Sequence, residues 1–284
     1  MTHPHFLSLP LAVALLATLF FSSCQPQSPK ASPSASDEQQ QEQQAGLSAA
    51  QPLKQSPRQP LEWPAPLKDR AEQILVRDYY TVSYNADTKQ PNWVAWRLTK
   101  AHTYGDEPRP QRAFHEDEDV AKPRATFQDY SGTKWSRGHM CPAGDNKWDK
   151  GAMYETFLMT NICPQDFDLN DGLWNEIEMT CRQWARKYGE VFIVCGPLFT
   201  QRQHRTIGRN KIPVPEAFFK VVLCMRGKPK AIGFVCRNSP EKGTQDQYVK
   251  SIDEVERLTG IDFFPAVDDD IESSIEGLGR WKDW

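Results

Sequence analysis

Hydrophobic positions are spread unevenly along the chain. Residues 6–24, "FLSLPLAVALLATLFFSSC", form one apolar run, while residues 25–60 are rich in Pro, Ser, Gln and Ala, with almost nothing to bury. A run that short, that near the start and ending in small residues has the layout of a secretory signal rather than of a membrane-spanning helix. The polar stretch behind it predicts a disordered tether. From "LEWPAPL" onward, apolar segments recur between turns. "RDYYTVSYN" (77–85) and "NWVAWRLT" (92–99) are aromatic and β-branched, bounded by Asn, Asp and Pro, and predict strands. "KWSRGHM" (134–140) and "TFLMTNI" (156–162) predict short strands, and "EVFIVCGPLF" (190–199), "FFKVVLCMR" (218–226) and "KAIGFVC" (230–236) buried ones, whereas 104–132 is polar and loop-like.

One segment follows the helical period. Leu173, Trp174, Ile177, Cys181, Trp184 and Tyr188 recur at three- and four-residue steps and Gly189 closes the pattern, which predicts a helix over 171–189. "SIDEVERLTG" (251–260) predicts a second, shorter one. Strands dominate and helices are scattered among them without strict β-α-β alternation. The expected class is α+β, with a mixed, largely antiparallel central sheet and flanking helices. The chain divides into a signal (1–24), a tether (25–65) and one folded domain (66–284).

Composition narrows the partners. The 284 residues carry a formal net charge of −3, so binding to a polyanion has to come from a local patch. Beyond Cys24 there are Cys141, Cys163, Cys181, Cys195, Cys224 and Cys236, an even number. In an exported chain some of these are expected to be bridged, and the sequence does not choose among the pairings.

The candidate chemistry lies in "WSRGHMCPAGDNKW" (135–148) and "TNICPQDFDLNDGLWNEIEMTCR" (160–182). Phosphodiester cleavage requires a base for water, a hard cation held through oxygen, and positive charge for the transition state. His139, the Asn161 and Asn170 amides, Glu178, Arg137 and Arg182 supply that set. Magnesium suits so thin a protein shell, because it keeps most of its waters. If the long helix starts near Asn170, Glu178 lies about 12 Å further along its axis at 1.5 Å per residue. Asn170 then holds the ion and Glu178 reaches the surrounding water, while Glu178 and Arg182, one turn apart, share a face. Asn170 also fits as a helix N-cap. Lys134, Lys147 and Lys150 flank the motif as phosphate contacts or solvated charges, and Arg186 and Lys187 suit a helix C-terminus.

"SRGHM", "TNICPQ" and "LNDGLWNEIE", in that order, resemble the DNA/RNA non-specific endonucleases, the ββα-metal family that includes the endonuclease G type. The core of the likeness spans about residues 135 to 200. Weaker echoes in "NWVAWRLT", "GPLF" and "IPVPEAFFKVV" extend it from about residue 75 to near the end. The resemblance implies a ββα-metal finger active site, DNA and RNA as substrates, and Mg2+, with Mn2+ or another divalent cation as substitutes. It implies His139 as general base, Arg137 as its phosphate-binding neighbour, Asn170 as direct metal ligand and Asn161 as support. Glu178 would order the water around the ion, Arg182 would stabilise phosphorane charge, and Arg112 would do the same from the preceding loop. The family pattern has Asp before Arg-Gly-His, and here Ser136 stands in its place. "FSSC" resembles a bacterial lipobox, which implies a lipid on Cys24 and a periplasmic or cell-surface lipoprotein, with plain secretion as the alternative. Two competing readings remain: a catalytically inactive nucleic-acid-binding lipoprotein, and a zinc or disulfide protein using His139, Cys141 and Cys163, for which no Cys-x-x-Cys pair is present.

Overall fold

The computed structural model describes residues 59–284; the apolar run, Cys24 and most of the tether lie outside them. Eleven strands occur in chain order: β1 Gln73–Val76, β2 Thr81–Asn85, β3 Gln90–Thr99, β4 Ser136–His139, β5 Ile162–Gln165, β6 Glu190–Leu198, β7 Thr206–Ile207, β8 Ile212–Pro213, β9 Ala217–Cys224, β10 Lys230–Arg237 and β11 Val249–Lys250. Six α-helices join them: α1 Phe127–Tyr130, α2 Lys150–Glu155, α3 Phe167–Asp171, α4 Leu173–Tyr188, α5 Ile252–Thr259 and α6 Asp269–Ile275.

A seven-stranded sheet in the order β1-β2-β3-β6-β9-β10-β11 forms the frame, and every neighbouring pair in it is antiparallel. The central strands are buried on both faces, which is why they read as continuous apolar runs rather than as alternation. Their register still separates two cores. Trp96, Ile193, Cys195, Phe218, Val222 and Phe234 point to the face covered by α4, and Trp93, Val194, Phe219, Val221 and Leu223 to the face covered by α5 and α6. Leu61 and Leu67 pack onto the second face, so the folded part reaches to the N-terminal side of residue 66. Among the described residues no helix is long and apolar enough to cross a membrane.

Four local expectations change. Of the strand expected over 77–85 only Thr81–Asn85 is strand, as β2, and residues 77–80 form the turn from β1, with Arg77 N donating to Tyr80 O. The strand expected over 156–162 is mostly a 3-10 turn, Met159–Asn161, with an isolated bridge from Leu158 to His115 before it and β5 starting at Ile162. The "loop" before β4 contains α1, whose Thr126 and Asp129 form a capping box. The long helix does not begin near Asn170. Asn170 lies in α3, and Gly172 (φ −97°, ψ −114°) separates α3 from α4. A Cβ on Gly172 would meet the Asp168 carbonyl oxygen at 2.6 Å, so this break needs glycine. Asn170 and Glu178 therefore lie on two separate helices, and the 12 Å spacing drawn for one continuous helix does not apply.

Candidate active site

Strands β4 and β5 pair antiparallel, Ser136 with Gln165 and His139 with Ile162, and α3 and α4 follow directly. Alternation along β4 sends Arg137 and His139 to one face and Gly138 to the other. The glycine has a steric cause: a Cβ there would meet the Gln165 side chain, with Oε1 at 2.1 Å. Gln165 itself is fully buried, with no hydrogen-bond partner for either amide atom. The sequence reading did not single it out, although it closes the "TNICPQ" motif.

His139 stands against the rings of Phe157, at 4.8 Å and edge-on, and Phe114, at 5.5 Å. Its Nε2 is enclosed and has no partner. Burial, with the Arg109 charge adding to it, pulls the imidazole pKa down from 6.5 to about 3. The ring is therefore neutral at physiological pH, the form that accepts a proton.

Asn161 braces the chain behind this histidine. It is buried, accepts from Cys141 N at 2.8 Å, and donates to Cys141 O at 2.9 Å and Thr156 O at 2.8 Å. Met140 N also donates to its backbone carbonyl at 2.9 Å. All its side-chain bonds are to backbone, so its support of His139 works through the chain.

Arg137 sits in an aromatic box. Its guanidinium lies 3.8 Å from the Phe127 ring centroid, 5.5 Å from that of Phe114 and 5.7 Å from that of Tyr130. Its Nη2 donates to Phe127 O at 3.2 Å, while Nε is buried without a partner. A guanidinium stacked this way and short of acceptors is ready for an anion.

On α4, Glu178 and Arg182 share a face as expected, but Arg182 pairs elsewhere. Its Nη1 donates to Asp145 Oδ1 at 2.7 Å, with Asp145 2% and Arg182 14% exposed, and Trp96 Nε1 donates to Asp145 Oδ2 at 3.1 Å. Burial pushes the Asp145 carboxyl up and Arg182 pulls it down, burial being the larger effect. Arg182, opposed by burial but facing Asp145, is held above the ordinary arginine value. The two donors on Asp145 fit an ionised carboxylate, and that state agrees with the raised guanidinium. Glu178 accepts no hydrogen bond among the described residues, and burial, tempered by Lys220, lifts its pKa to about 7.

Lys220 completes this group from the sheet side. It is 1% exposed, its Nζ has no hydrogen-bond partner, and it lies 4.7 Å from the Trp174 ring centroid and 5.1 Å from that of Trp96. Burial opposes its charge, but Cys195, Glu178, Cys181 and Asp145 outweigh that and hold the ammonium above the ordinary lysine value. Buried Lys220 and Asp145 and half-buried Arg182 and Glu178 thus make one cluster of two cations, one carboxylate and a second carboxyl that titrates near 7. The signal for Lys220 was its position, a lone charge inside the apolar run "AFFKVVLC".

The loop arginine that approaches the site is Arg109 rather than Arg112. Arg109 lies 6.0 Å from the Phe157 ring centroid and its charge is felt at both His139 and Glu178. Arg112 is exposed, with a left-handed backbone (φ 51°). Arg186 is more than a helix-end charge: it donates to Thr103 Oγ1 at 2.9 Å and Thr103 O at 2.8 Å.

The expected disulfides do not form. Cys141, Cys163, Cys181, Cys195, Cys224 and Cys236 are all buried free thiols, built into the sheet, α4 and the turns as small core residues. No zinc cluster forms at His139 either. Among the described residues the one group of three or more acidic, His or Cys ligands is Asp253, Glu256 and Glu276, on and after α5 and α6. The oxygen donors at the site itself, the half-buried Asn170 amide and the unbonded Glu178 carboxylate, fit a hard cation that keeps most of its waters.

The chain is similar to known nucleases. The chain is 36% identical to human mitochondrial nuclease EXOG over 206 residues, covering 66% of this chain and 56% of the relative. It is 32% identical to human mitochondrial endonuclease G over 209 residues, 69% of this chain and 70% of that one, and 32% identical to nuclease C1 of Cunninghamella echinulata var. echinulata, covering 70% and 85%. It thus spans little more than half the length of the EXOG relatives. The solved complex of EndoG with EndoGI superposes with a TM-score of 0.64 at 26% identity, over 69% of this chain and 87% of that one. The family model described as DNA/RNA non-specific endonuclease matches residues 65–270, and the chain belongs to that family.

Proposed function

We propose that this protein is an exported, metal-dependent endonuclease that hydrolyses phosphodiester bonds of DNA and RNA without strong sequence preference. The observation that carries the reading is the neutral His139 held beside Arg137 on one face of β4, a base next to an anion site. His139 takes the proton from the attacking water, and Arg137 holds the phosphate. Arg182, fixed by Asp145, and Arg109 place positive charge where negative charge grows. Asn170 would hold a divalent cation, Mg2+ by preference with Mn2+ as a substitute, and Glu178 would order water beside it. When bound, the cation supplies charge neutralisation at the phosphate.

The test is incubation of the purified protein with plasmid and with RNA, in magnesium and in EDTA. Cleavage of both in magnesium and of neither in EDTA is expected. Binding without cleavage under every metal condition would favour the inactive binding protein instead. Asn170→Ala should raise the magnesium concentration needed for half-maximal activity while the thermal melt stays near that of the wild type; an unchanged magnesium titration would remove Asn170 as the ligand.

Export rests on the apolar run at 6–24 and on the lipobox-like Cys24. Cys24→Ser should release the protein from membranes with its domain active. Unchanged membrane partition in that variant would rule out the lipid anchor and leave plain secretion or another attachment.

A further inference from the structure

Phe127 opens α1 and is 42% exposed. Single exposed apolar side chains are ordinary on a protein surface; this one differs in what lies behind it. The His139 and Phe114 rings are 5.5 Å apart, Arg137 is 5.5 Å from Phe114, and Phe127 is 3.8 Å from Arg137. A continuous line of π and guanidinium groups therefore runs from the candidate base to an open phenyl ring.

The ring is carried on a braced support. The capping box of Thr126 and Asp129 fixes α1, and Asp129 accepts from Asn210 N and Nδ2, both at 2.9 Å, which ties α1 to the β7–β8 hairpin. Just past Phe127 opens a groove of about 620 Å³ lined by Thr126, Gln128, Lys122, Arg124, Arg209 and Asn210. Its carboxylates are engaged: Glu116 pairs with Arg124 at 2.8 Å, and Asp129 is held by Thr126 and Asn210. Asp129 keeps its charge, since its partners are neutral, so Lys122, Arg124 and Arg209 against Glu116 and Asp129 leave the groove one net positive charge.

We propose that Phe127, backed by Arg137, is a stacking subsite for a nucleobase of the nucleotide adjoining the scissile phosphate, with the strand continuing past Lys122 and Arg209. The inference rests on the nuclease reading above. Stacking suits a protein that ignores sequence, because every base offers a π face. It also requires an unpaired or unstacked base, so the subsite serves single strands and distorted duplexes first. The groove charges act on the backbone and carry no base information.

Loss of Phe127 could also loosen Arg137, so the test separates base from phosphate. KM and kcat are measured for wild type, Phe127→Ala and Phe127→Trp, on a short single-stranded DNA and on a tetrahydrofuran backbone of the same length that lacks all bases. Phe127→Ala should raise KM on the base-bearing strand by about five-fold to a hundred-fold, the range for one aromatic–base stack. It should leave KM on the abasic strand at the wild-type value, and Phe127→Trp should restore binding of the base-bearing strand. An equal rise on both strands would make Phe127 a support for Arg137 only, and no rise on either would remove it from the substrate path; both overturn the proposal. If wild type cleaves neither strand and no other nucleic acid in magnesium, the nuclease reading fails and the subsite with it. Cleavage of plasmid and RNA together with an unmoved Phe127→Ala sinks the subsite alone.

Discussion

Replacing His139 by alanine should lower the rate of nucleic-acid cleavage by at least about a hundred-fold, since general-base contributions run to about 10²–10⁴. The arginines that hold phosphate remain, so a gel-shift assay should still show bound nucleic acid. A His139→Ala enzyme within a factor of ten of wild type, in saturating magnesium, would end the assignment of the base. The pH dependence follows from the burial of the ring. An exposed histidine would lose its base function below 6.5, but this one stays neutral to about 3. No acid limb near 6.5 should arise from His139, and in metal-free protein its imidazole NMR signals should not titrate between pH 5 and 8. Stability has the matching sign. The folded pKa lies below the unfolded one, so the unfolded chain binds the proton more readily. The stabilisation is complete above about 6.5 and is lost as pH falls towards 3. Imidazole signals that titrate near 6.5 would show that the ring is solvated and that Phe114 and Phe157 do not enclose it.

The second large effect is expected at Asp145. Its carboxylate is the partner of Arg182 and the acceptor for Trp96, in a setting where both members of the ion pair are largely buried. Removing one partner of a buried pair leaves an uncompensated charge and costs about 3–5 kcal/mol. Asp145→Ala should therefore shift the denaturation midpoint by that much, and kcat should fall because Arg182 loses its anchor. Asp145→Asn, which keeps an acceptor for one donor, should lose less stability. A loss below about 1 kcal/mol for Asp145→Ala would mean that the pair is screened as a surface pair is.

The order of the three motifs carried the family, and it marked His139, Arg137, Asn161, Asn170, Glu178 and Arg182 as candidates. What it missed it missed for physical reasons. Arg109 and Arg112 both lie in a polar loop without periodicity, and nothing local tells which will face His139. Asp145 follows "SRGHMCPAG" closely, yet its importance comes from Arg182, 37 residues on, and Trp96, 49 residues back. The helix start was misplaced because apolar spacing cannot register a glycine whose role is to let the Asp168 carbonyl come close.

Period and composition by themselves indicated most of the strands, the body of the long helix and an antiparallel sheet to carry them, while the motifs marked a histidine, amides, a carboxylate and arginines as candidates. Such features depend on neighbours within a turn or a strand, and those neighbours are written in sequence. Tertiary structure alone decided which charge meets which. It set Arg182 against Asp145 rather than Glu178, stacked Arg137 on Phe127, and enclosed His139 between two phenyl rings so that its pKa fell. It also placed Lys220 under α4 between two tryptophans, its Nζ without a hydrogen bond but within the field of Glu178 and Asp145. Pairing and burial depend on distances between residues far apart in the chain, and those distances exist only once the sheet has closed and α4 has packed across it.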